Sequence, residues 1–243
     1  MTAPDPATPN PLAAATTSGT PEPSIVRISA RTAVILLLFT LAFTALMAGT
    51  YKLTQPMLEA SAQAEKLRLI GEVLPPLSYD NPLLDDAITL PPTKAIGLDD
   101  DSRAYRARKD GKPVALVFEA AALDGYSGRI GLIVAVAADG RLLAMRVTQH
   151  KETPGLGDYV DPKKDKNKAS PWIRQFDGVG FDTALGGKWK VKKDGGQFDQ
   201  RAGATISARA VTNASGRALL WAQERSAQLF ELPAGKTFEE KAK

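Results

Sequence analysis

The longest apolar run of the chain lies between Arg31 and Lys52 and contains no charged side chain. As an α-helix, its stretch from Ala33 to Tyr51 would be about 28 Å long, which matches the hydrocarbon core of a bilayer. We therefore predict a transmembrane helix over residues 31–52. The alternatives are a buried core helix and a cleaved signal peptide. A signal peptide would begin nearer to residue 1, and the helix exit lacks a clean small-x-small cleavage pattern.

Basic residues flank this run on both sides. Arg27 and Arg31 precede it, and Lys52, Lys66 and Arg68 follow it. An excess of positive charge marks the cytoplasmic side of a span, and here neither side has a clear excess. Charge counting therefore leaves the orientation open, while membrane lipid is a partner in either case.

The segments around the predicted span differ in composition. Residues 1–30 begin with a stretch rich in Pro, Thr, Ala and Ser, which is typical of a disordered tail. Residues 53–100 begin with a helical spacing of apolar residues that is stopped by Pro75 and Pro76. More prolines and an acidic run follow. We interpret residues 53–100 as a stalk helix and, over 77–100, an irregular linker.

After residue 100 the apolar positions repeat every second residue, which is typical of strands. Pairs of such segments flank two Asp-Gly turns, at 110–111 and 139–140, and predict two hairpins. The predicted strands are residues 103–108, 113–120, 129–137 and 142–149. A short helix is predicted from Ser170 to Phe176, with Pro171 at its first position.

The last long element is predicted to be a helix over residues 207–232. Small side chains recur on one stripe, which would pack on the sheet, namely Ala210, Ala214, Ala218 and Ala222. The fold class is therefore α+β, in which a single N-terminal transmembrane helix precedes an antiparallel sheet with packed helices. We expect this domain to cover residues 101–232, followed by a C-terminal tail over 233–243.

Composition excludes several classes of function. The chain has no cysteine, which excludes disulfides, zinc–thiolate sites, iron–sulfur ligation and thiol nucleophiles. A Ser-His-Asp triad would depend on the single histidine, His150, which we interpret as a surface residue at a strand end. The net charge of +4 comes from scattered charges without a basic helix, so no nucleic-acid partner is predicted. Asp177, Asp182 and Glu152 are interpreted as solvated surface charges rather than a hydrolase pair.

Three segments rich in small residues are candidates for a binding site. Residues 125–128, Gly-Tyr-Ser-Gly, precede a strand, although alone they could be a simple turn. Residues 152–157, Glu-Thr-Pro-Gly-Leu-Gly, follow a strand, where glycine lets the backbone approach a ligand or simply forms a tight loop. Residues 199–207 lead into the last helix, whose N-terminus suits a phosphate. The alternative there is that Thr205 or Ser207 is only the N-cap.

The order of these features resembles RnfG, the G-type subunit of the Rnf ferredoxin:NAD oxidoreductase complex. One N-terminal span, Gly-Tyr-Ser-Gly, Glu-Thr-Pro-Gly-Leu-Gly and Gly-Ala-Thr follow one another over residues 31–232. The resemblance implies covalent FMN, joined through its phosphate to the hydroxyl of Thr205 by a dedicated flavin transferase. It also implies an electron-transfer protein of the bacterial inner membrane, with a periplasmic soluble domain and the other subunits of an Rnf-type complex as partners.

The predicted cofactor-binding residues belong to the three candidate segments. They are Tyr126, Ser127, Glu152, Thr153, Pro154, Gly155, Leu156, Gly157, Asp199, Gly203, Ala204, Thr205 and Ser207. One position departs from the family's pattern, because Ala202 stands where Ser or Thr usually precedes Gly-Ala-Thr. The predicted acceptor is nevertheless retained, and Ser207 is the second candidate acceptor.

Two alternatives remain open. The C-type subunit of the sodium-pumping NADH:quinone oxidoreductase shares the anchor and the threonine-linked flavin, but the chain has no large insertion between the stalk and residues 152–157, which favours the Rnf family. A membrane-tethered assembly module without a cofactor would use Gly-Ala-Thr only as a helix cap. No catalytic residue and no metal site is predicted.

Overall fold

The computed structural model describes residues 25–180, 182, 184 and 186–239, apart from the side chains of Ile25 and Ala62. Most of the predicted N-terminal tail, residues 1–24, lies outside the described residues. The chain divides into two compact units, residues 1–60 and 61–243.

The predicted span and stalk belong to one helix, α1 (Ile25–Val73). Within the described part of the chain, α1 is the single helix that is long and apolar enough to cross a membrane. The large apolar side chains of its first half are all exposed, for example Leu38 and Phe39. Pro56 lies inside the helix, where its missing N–H removes one backbone hydrogen bond.

The second unit contains a five-stranded antiparallel sheet in which each strand pairs with the next along the chain. Its strands are β1 (Ala87–Leu90), β2 (Ser102–Lys109), β3 (Lys112–Gly125), β4 (Gly128–Ala137) and β5 (Leu142–Gln149). Both predicted hairpins are confirmed. Because β3 continues beyond its predicted end at residue 120, Gly-Tyr-Ser-Gly is the turn of a third hairpin, between β3 and β4.

Helices cover both faces of the sheet. On one face lies α2 (Thr205–Glu231), and the predicted alanine stripe from Ala210 to Ala222 is buried against the sheet. The rings of Phe118 and Trp221 meet there with centroids 5.3 Å apart. On the other face, the end of α1 and the residues after it pack through Ile70, Val73 and Leu74. Strands β3 and β4 are therefore apolar on both sides, as expected for strands with two covered faces.

The interpretation of residues 77–100 as an irregular linker was wrong for residues 87–90. These residues form the edge strand β1, which pairs with β2 from Ala87 opposite Tyr105 to Leu90 opposite Ser102. Four residues are too few to show a clear period, and Pro91 and Pro92 directly after them indicated a loop. Pairing with β2 and burial against the core, not local pattern, make this segment a strand.

The prediction of a C-terminal tail does not hold for residues 233–239. Thr237 bridges Thr89 in parallel, and the N–H of Phe238 donates to the carbonyl of Thr89 at 2.8 Å. Phe238 is 4% exposed and belongs to the main core. This segment covers the edge of β1, which would otherwise present unpaired backbone groups.

The predicted short helix is a 3₁₀ helix, Trp172–Phe176, rather than an α-helix that begins at Ser170. Pro171 takes the cap position, and the carboxylate of Asp165 accepts the N–H of the first helical residue, Trp172, at 2.7 Å. The rings of Phe176 and Phe198 stack at 4.3 Å, and Trp189 joins them at 4.9 Å from Phe198. This aromatic cluster fixes the long connection between β5 and α2.

Candidate functional site

The three candidate segments meet at one pocket of about 270 Å³. The turn between β3 and β4 and the end of β5 lie at the same end of the sheet, since Gly131 pairs with Gln149. The N-terminus of α2 closes the third side. The lining residues are Tyr126, Glu152, Thr153, Leu156, Gly157, Gly203, Ala204, Ile206 and Ser207.

Glu152 connects the three segments. Its side chain is buried, Oε1 accepts the N–H of Ser127 at 3.0 Å, and Oε2 accepts the hydroxyl of Ser207. The interpretation of Glu152 as a solvated surface charge was therefore wrong. A buried carboxylate is costly unless donors satisfy it, and here each oxygen has one.

His150 is also not the surface residue that we expected. Its side chain is 13% exposed, and its Nε2 lies 3.8 Å from Oδ2 of Asp161. Its Nδ1 accepts the backbone N–H of Glu152 at 3.2 Å. This hydrogen bond assigns the proton of the neutral ring to Nε2, on the side of Asp161. His150 thus helps to hold the start of the loop after β5.

Two glycines allow the loops to close around the Glu152 carboxylate. A Cβ on Gly157 would lie 2.6 Å from Oγ of Ser207 and 2.7 Å from Oε2 of Glu152. A Cβ on Gly125 would lie 2.9 Å from Oε1 of the same carboxylate. Because carbon cannot approach oxygen so closely, both positions need glycine for space rather than for backbone freedom.

Neither Thr205 nor Ser207 is the N-cap of α2. The cap position is Ala204, and among the described residues no side chain accepts a hydrogen bond from the N–H groups of the first turn. Gly203 precedes it with φ +84°, a left-handed conformation that favours glycine. The first N–H groups of a helix have no acceptor within the helix, and that end carries partial positive charge. The start of α2 therefore presents donors that a side chain has not taken.

The two candidate acceptor hydroxyls differ in their surroundings. Ser207 is 1% exposed and donates to Glu152. Thr205 is the first residue of α2, is partly exposed, and lies between two pocket-lining residues, Ala204 and Ile206. Among the described residues, no group forms a hydrogen bond with the Thr205 hydroxyl. Of the two, Thr205 is the one open to an incoming group.

A polar cluster supports the approach to α2. The guanidinium of Arg201 lies over the ring of Tyr159 at 4.5 Å and pairs with Asp165. The hydroxyl of Tyr159 accepts the N–H of Arg201 at 3.1 Å and donates to the carbonyl of Ala204 at 3.4 Å. This cluster sets the path of residues 201–204, of which Gly203 and Ala204 line the pocket.

Asp165 is the buried anchor of that cluster. Burial by itself would raise the pKa of its carboxyl group. The backbone N–H groups of Trp172 and Asn167, together with Arg201, outweigh the burial and hold this pKa below its ordinary value. The N–H of Trp172 donates at 2.7 Å. Asp165 therefore stays charged and links the 3₁₀ helix to the segment before α2.

The remaining predicted residues lie outside the pocket wall. Ser127 contributes its backbone N–H, and Pro154 and Gly155 lie on the exposed side of their loop. Asp199 is exposed, and its carboxylate pairs with Lys192 at 2.5 Å. Its carbonyl accepts the indole N–H of Trp172 at 2.6 Å. Asp199 thus lies beside the support cluster and not in the pocket.

Ile206, which was not among the predicted site residues, lines the pocket and is 45% exposed. Tyr126 and Leu156, also lining residues, are 68% and 54% exposed. The sequence signal that could have identified Ile206 is an apolar residue between two predicted site residues at the start of a helix. These three side chains give the pocket an apolar rim above a polar floor at Glu152 and Ser207, which suits a flat ring system with a polar edge.

Comparisons with known proteins agree with this geometry. A family model described as FMN-binding domain matches residues 125–220, and one described as RnfG N-terminal region matches residues 25–73. The G-type subunit of the ion-translocating oxidoreductase complex of Pseudomonas aeruginosa is 44% identical over 189 residues, which cover 78% of this chain and 86% of that protein. The chain belongs to this RnfG family. The corresponding proteins of Shewanella baltica and Pseudoalteromonas atlantica are 40% and 39% identical, and the aligned parts cover 92% and 93% of those proteins.

Membership of the RnfG family confirms the resemblance found in the sequence and the α+β class with an FMN-binding domain. The matched FMN-binding region includes every residue that lines the pocket, from Tyr126 to Ser207. The same named protein recurs among the relatives, which favours it over its counterpart in the sodium pump. The pocket is therefore the candidate flavin site of this chain.

Proposed function

We propose that this chain is a membrane-anchored electron-transfer subunit that carries FMN covalently, through a phosphoester to Thr205. The observation that carries the proposal is the contrast between two hydroxyls beside one pocket. Thr205 is open at the start of α2, whereas Ser207 is buried and donates to Glu152. In the proposed step, the Thr205 oxygen forms a bond to the phosphorus of a flavin dinucleotide donor, the phosphoanhydride bond of the donor breaks so that its nucleoside monophosphate leaves, and the hydroxyl proton is released; a flavin transferase is the expected partner for this step.

The start of α2 suits the phosphate. A phosphodiester retains about one negative charge, which the uncapped N–H groups and the positive end of the helix dipole would stabilise. Gly203 and Ala204 have small side chains and leave room for the phosphate oxygens. In this arrangement Thr205 would supply the covalent bond to the phosphate, and the backbone N–H groups would stabilise the negative charge of the phosphate.

The pocket suits part of the flavin ring. Its volume of about 270 Å³ is slightly below the lower end of about 300 Å³ for pockets that bury a whole drug-sized ligand. The side chains of Tyr126, Leu156 and Ile206 form an exposed rim, so one edge of a bound ring would remain exposed beside them. Bound FMN supplies one- and two-electron redox chemistry, and an exposed edge gives neighbouring redox subunits access to it. The residues of the pocket need only bind and orient the ring.

The long apolar helix supports the membrane part of the proposal. The first half of α1 has the length and composition of a single bilayer span. We propose that it anchors the chain in the bacterial inner membrane, with the soluble domain in the periplasm. The other subunits of an ion-translocating oxidoreductase complex are then the partners that deliver and accept electrons.

Covalent flavin in the denatured full-length chain tests the proposal. Protein co-expressed with a flavin transferase should stay yellow after acid precipitation and fluoresce as a band in a denaturing gel under ultraviolet light. The same chain expressed without the transferase is the control and should be dark. A colourless chain from cells that contain an active transferase would contradict the proposal and favour an assembly module without a cofactor.

A further inference from the structure

The carboxylate of Glu152 is the one buried acidic group at the pocket wall among the described lining residues. The proposed function needs a surface that binds FMN, and it does not require a charge at this place. No Lys or Arg among the described residues forms an ion pair with Glu152. Its carboxylate instead accepts hydrogen bonds from the N–H of Ser127 and the hydroxyl of Ser207. A buried carboxyl group held by neutral donors therefore lies beside the flavin pocket.

The contacts of Glu152 require its shape but not its charge. The N–H of Ser127 needs one acceptor, which the carbonyl oxygen of a glutamine would provide. A hydroxyl both donates and accepts, so Ser207 could rotate and accept from a glutamine NH₂ group. A neutral amide would thus join the same three segments. Burial of an acid without a counter-charge is costly, so a carboxyl group where an amide would satisfy the same contacts calls for a separate role.

We propose that Glu152 is a positioning and tuning residue, which orders the pocket through Ser127 and Ser207 and lowers the reduction potential of the flavin through its charge. This inference rests on the proposed function. Reduction of the flavin by two electrons from a neighbouring redox subunit and one proton from water adds one negative charge to the ring. A carboxylate at the pocket wall opposes that added charge, and low exposure to water weakens the screening between them.

The loop after β5 offers a matched control. Asp158 carries the same charge, lies six residues from Glu152, and accepts the N–H of Gly155 at 2.9 Å with Oδ1. It does not line the pocket and is partly exposed. Asp158→Asn therefore removes one negative charge from the same loop without changing the pocket wall. Solvent should screen most of its effect on the ring.

The test compares flavin potentials of full-length variants co-expressed with a flavin transferase and purified in detergent. A spectroelectrochemical titration that follows flavin absorbance gives the potential. Glu152→Gln should retain covalent flavin. At a fixed applied potential, its ratio of reduced to oxidised flavin should rise about tenfold, which corresponds to a reduction potential about 30 mV higher for a two-electron couple. The reduction potential of Glu152→Ala should shift in the same direction, and that of Asp158→Asn should shift less than half as far.

Ser207→Ala separates charge from geometry, because it removes the hydroxyl and keeps the carboxylate. The reduction potential of the flavin in this variant should not rise. Hydrogen exchange of the chain made without the transferase gives a readout that needs no flavin, and the Ser127 amide should stay protected in Glu152→Gln but not in Glu152→Ala. Equal potentials in wild type and both Glu152 variants, or an equal rise in Ser207→Ala, would overturn the inference. Absence of flavin from the wild type would instead overturn the proposed function.

Discussion

The hydroxyl of Ser207 donates a hydrogen bond to Oε2 of Glu152, although 55 residues separate the two in the chain. Both side chains are buried, at 1% and 4% exposure. The bond joins the first turn of α2 to the loop after β5 and occupies the Ser207 hydroxyl. A hydroxyl that is buried and donates to a carboxylate is a poor target for an enzyme that must reach it from solvent. Ser207 therefore supports the pocket together with Glu152, and it is not the residue to which we expect the flavin to be attached.

The first prediction concerns the attachment point. Trypsin releases residues 202–209, Ala-Gly-Ala-Thr-Ile-Ser-Ala-Arg, which contain both candidate hydroxyls. We expect the mass of this peptide to increase by one FMN phosphoryl ester in the wild type and in Ser207→Ala, and not in Thr205→Ala. Peptide mass spectrometry measures this directly. Flavin on the Thr205→Ala peptide would show that Ser207 or another group is the acceptor.

The second prediction concerns the space at Gly157. Its Cβ in Gly157→Ala would overlap the Ser207–Glu152 hydrogen bond, so the loop must move away from α2. We expect a loss of about 1–3 kcal/mol in the free energy of unfolding, as for other overpacked sites, together with less covalent flavin. Thermal unfolding and in-gel flavin fluorescence measure the two effects. Gly180→Ala is the matched control, because a Cβ there meets nothing within 4 Å and φ is not positive.

The sequence predicted the pocket segments better than the roles of single residues. Small residues at the end of a strand and the start of a helix are local signals, and Gly157 and Gly203 were identified from them. The burial of Glu152 was not predictable, because it depends on Ser127 and Ser207 from two distant segments. The same holds for His150, whose neighbour Asp161 belongs to a loop that alone looks solvated.

The fold shows the same division between local and long-range information. The two Asp-Gly hairpins and α2 have strong periods and were predicted within a few residues. Strand β1 is only four residues long, and its partners on either side are β2 and Thr237 near the other end of the chain. Such a strand takes its hydrogen bonds from segments that are distant in the sequence, so no local pattern marks it.

The third prediction concerns Arg106, a buried arginine of β2. It pairs with Asp86 and donates to the carbonyls of Leu229 and Leu232 at the end of α2. Arg106→Met should lower the free energy of unfolding by about 1–3 kcal/mol, since it leaves one oxygen of Asp86 and the two helix carbonyls without the donors that Arg106 supplies. Arg108→Met is the control, because Arg108 pairs with the same Asp86 but is 23% exposed. An equal or larger loss in the control on thermal unfolding would contradict this role for Arg106.

The fourth prediction concerns pH and Asp165. The pKa of this carboxyl is lower in the folded chain than in the unfolded chain, so its stabilising effect is complete above the unfolded pKa and disappears as pH falls through the folded pKa. Asp165→Asn should therefore lower the free energy of unfolding by about 1–3 kcal/mol at pH 7. The gap between variant and wild type should narrow below about pH 4. Denaturant unfolding at several pH values measures the gap, and a gap independent of pH would contradict the charged role of Asp165.

The last prediction concerns the anchor. If the first half of α1 serves to hold the flavin beside its redox partners, its removal should change the location of the domain but not the attachment of flavin. Replacement of residues 1–52 by a cleavable signal peptide should give a soluble periplasmic chain that still carries covalent flavin, because the acceptor and the pocket lie in the second unit. The full-length chain should instead stay in the membrane pellet after an alkaline wash.

The same replacement should abolish electron transfer through the complex, since a free domain no longer stays at a high effective concentration beside fixed partners. Restoring residues 1–52 behind the same promoter is the control and should recover the activity. Full activity from the soluble chain would show that docking of the domain is sufficient and that the helix is only a means of delivery. Loss of flavin from the soluble chain, by contrast, would show that attachment takes place only at the membrane.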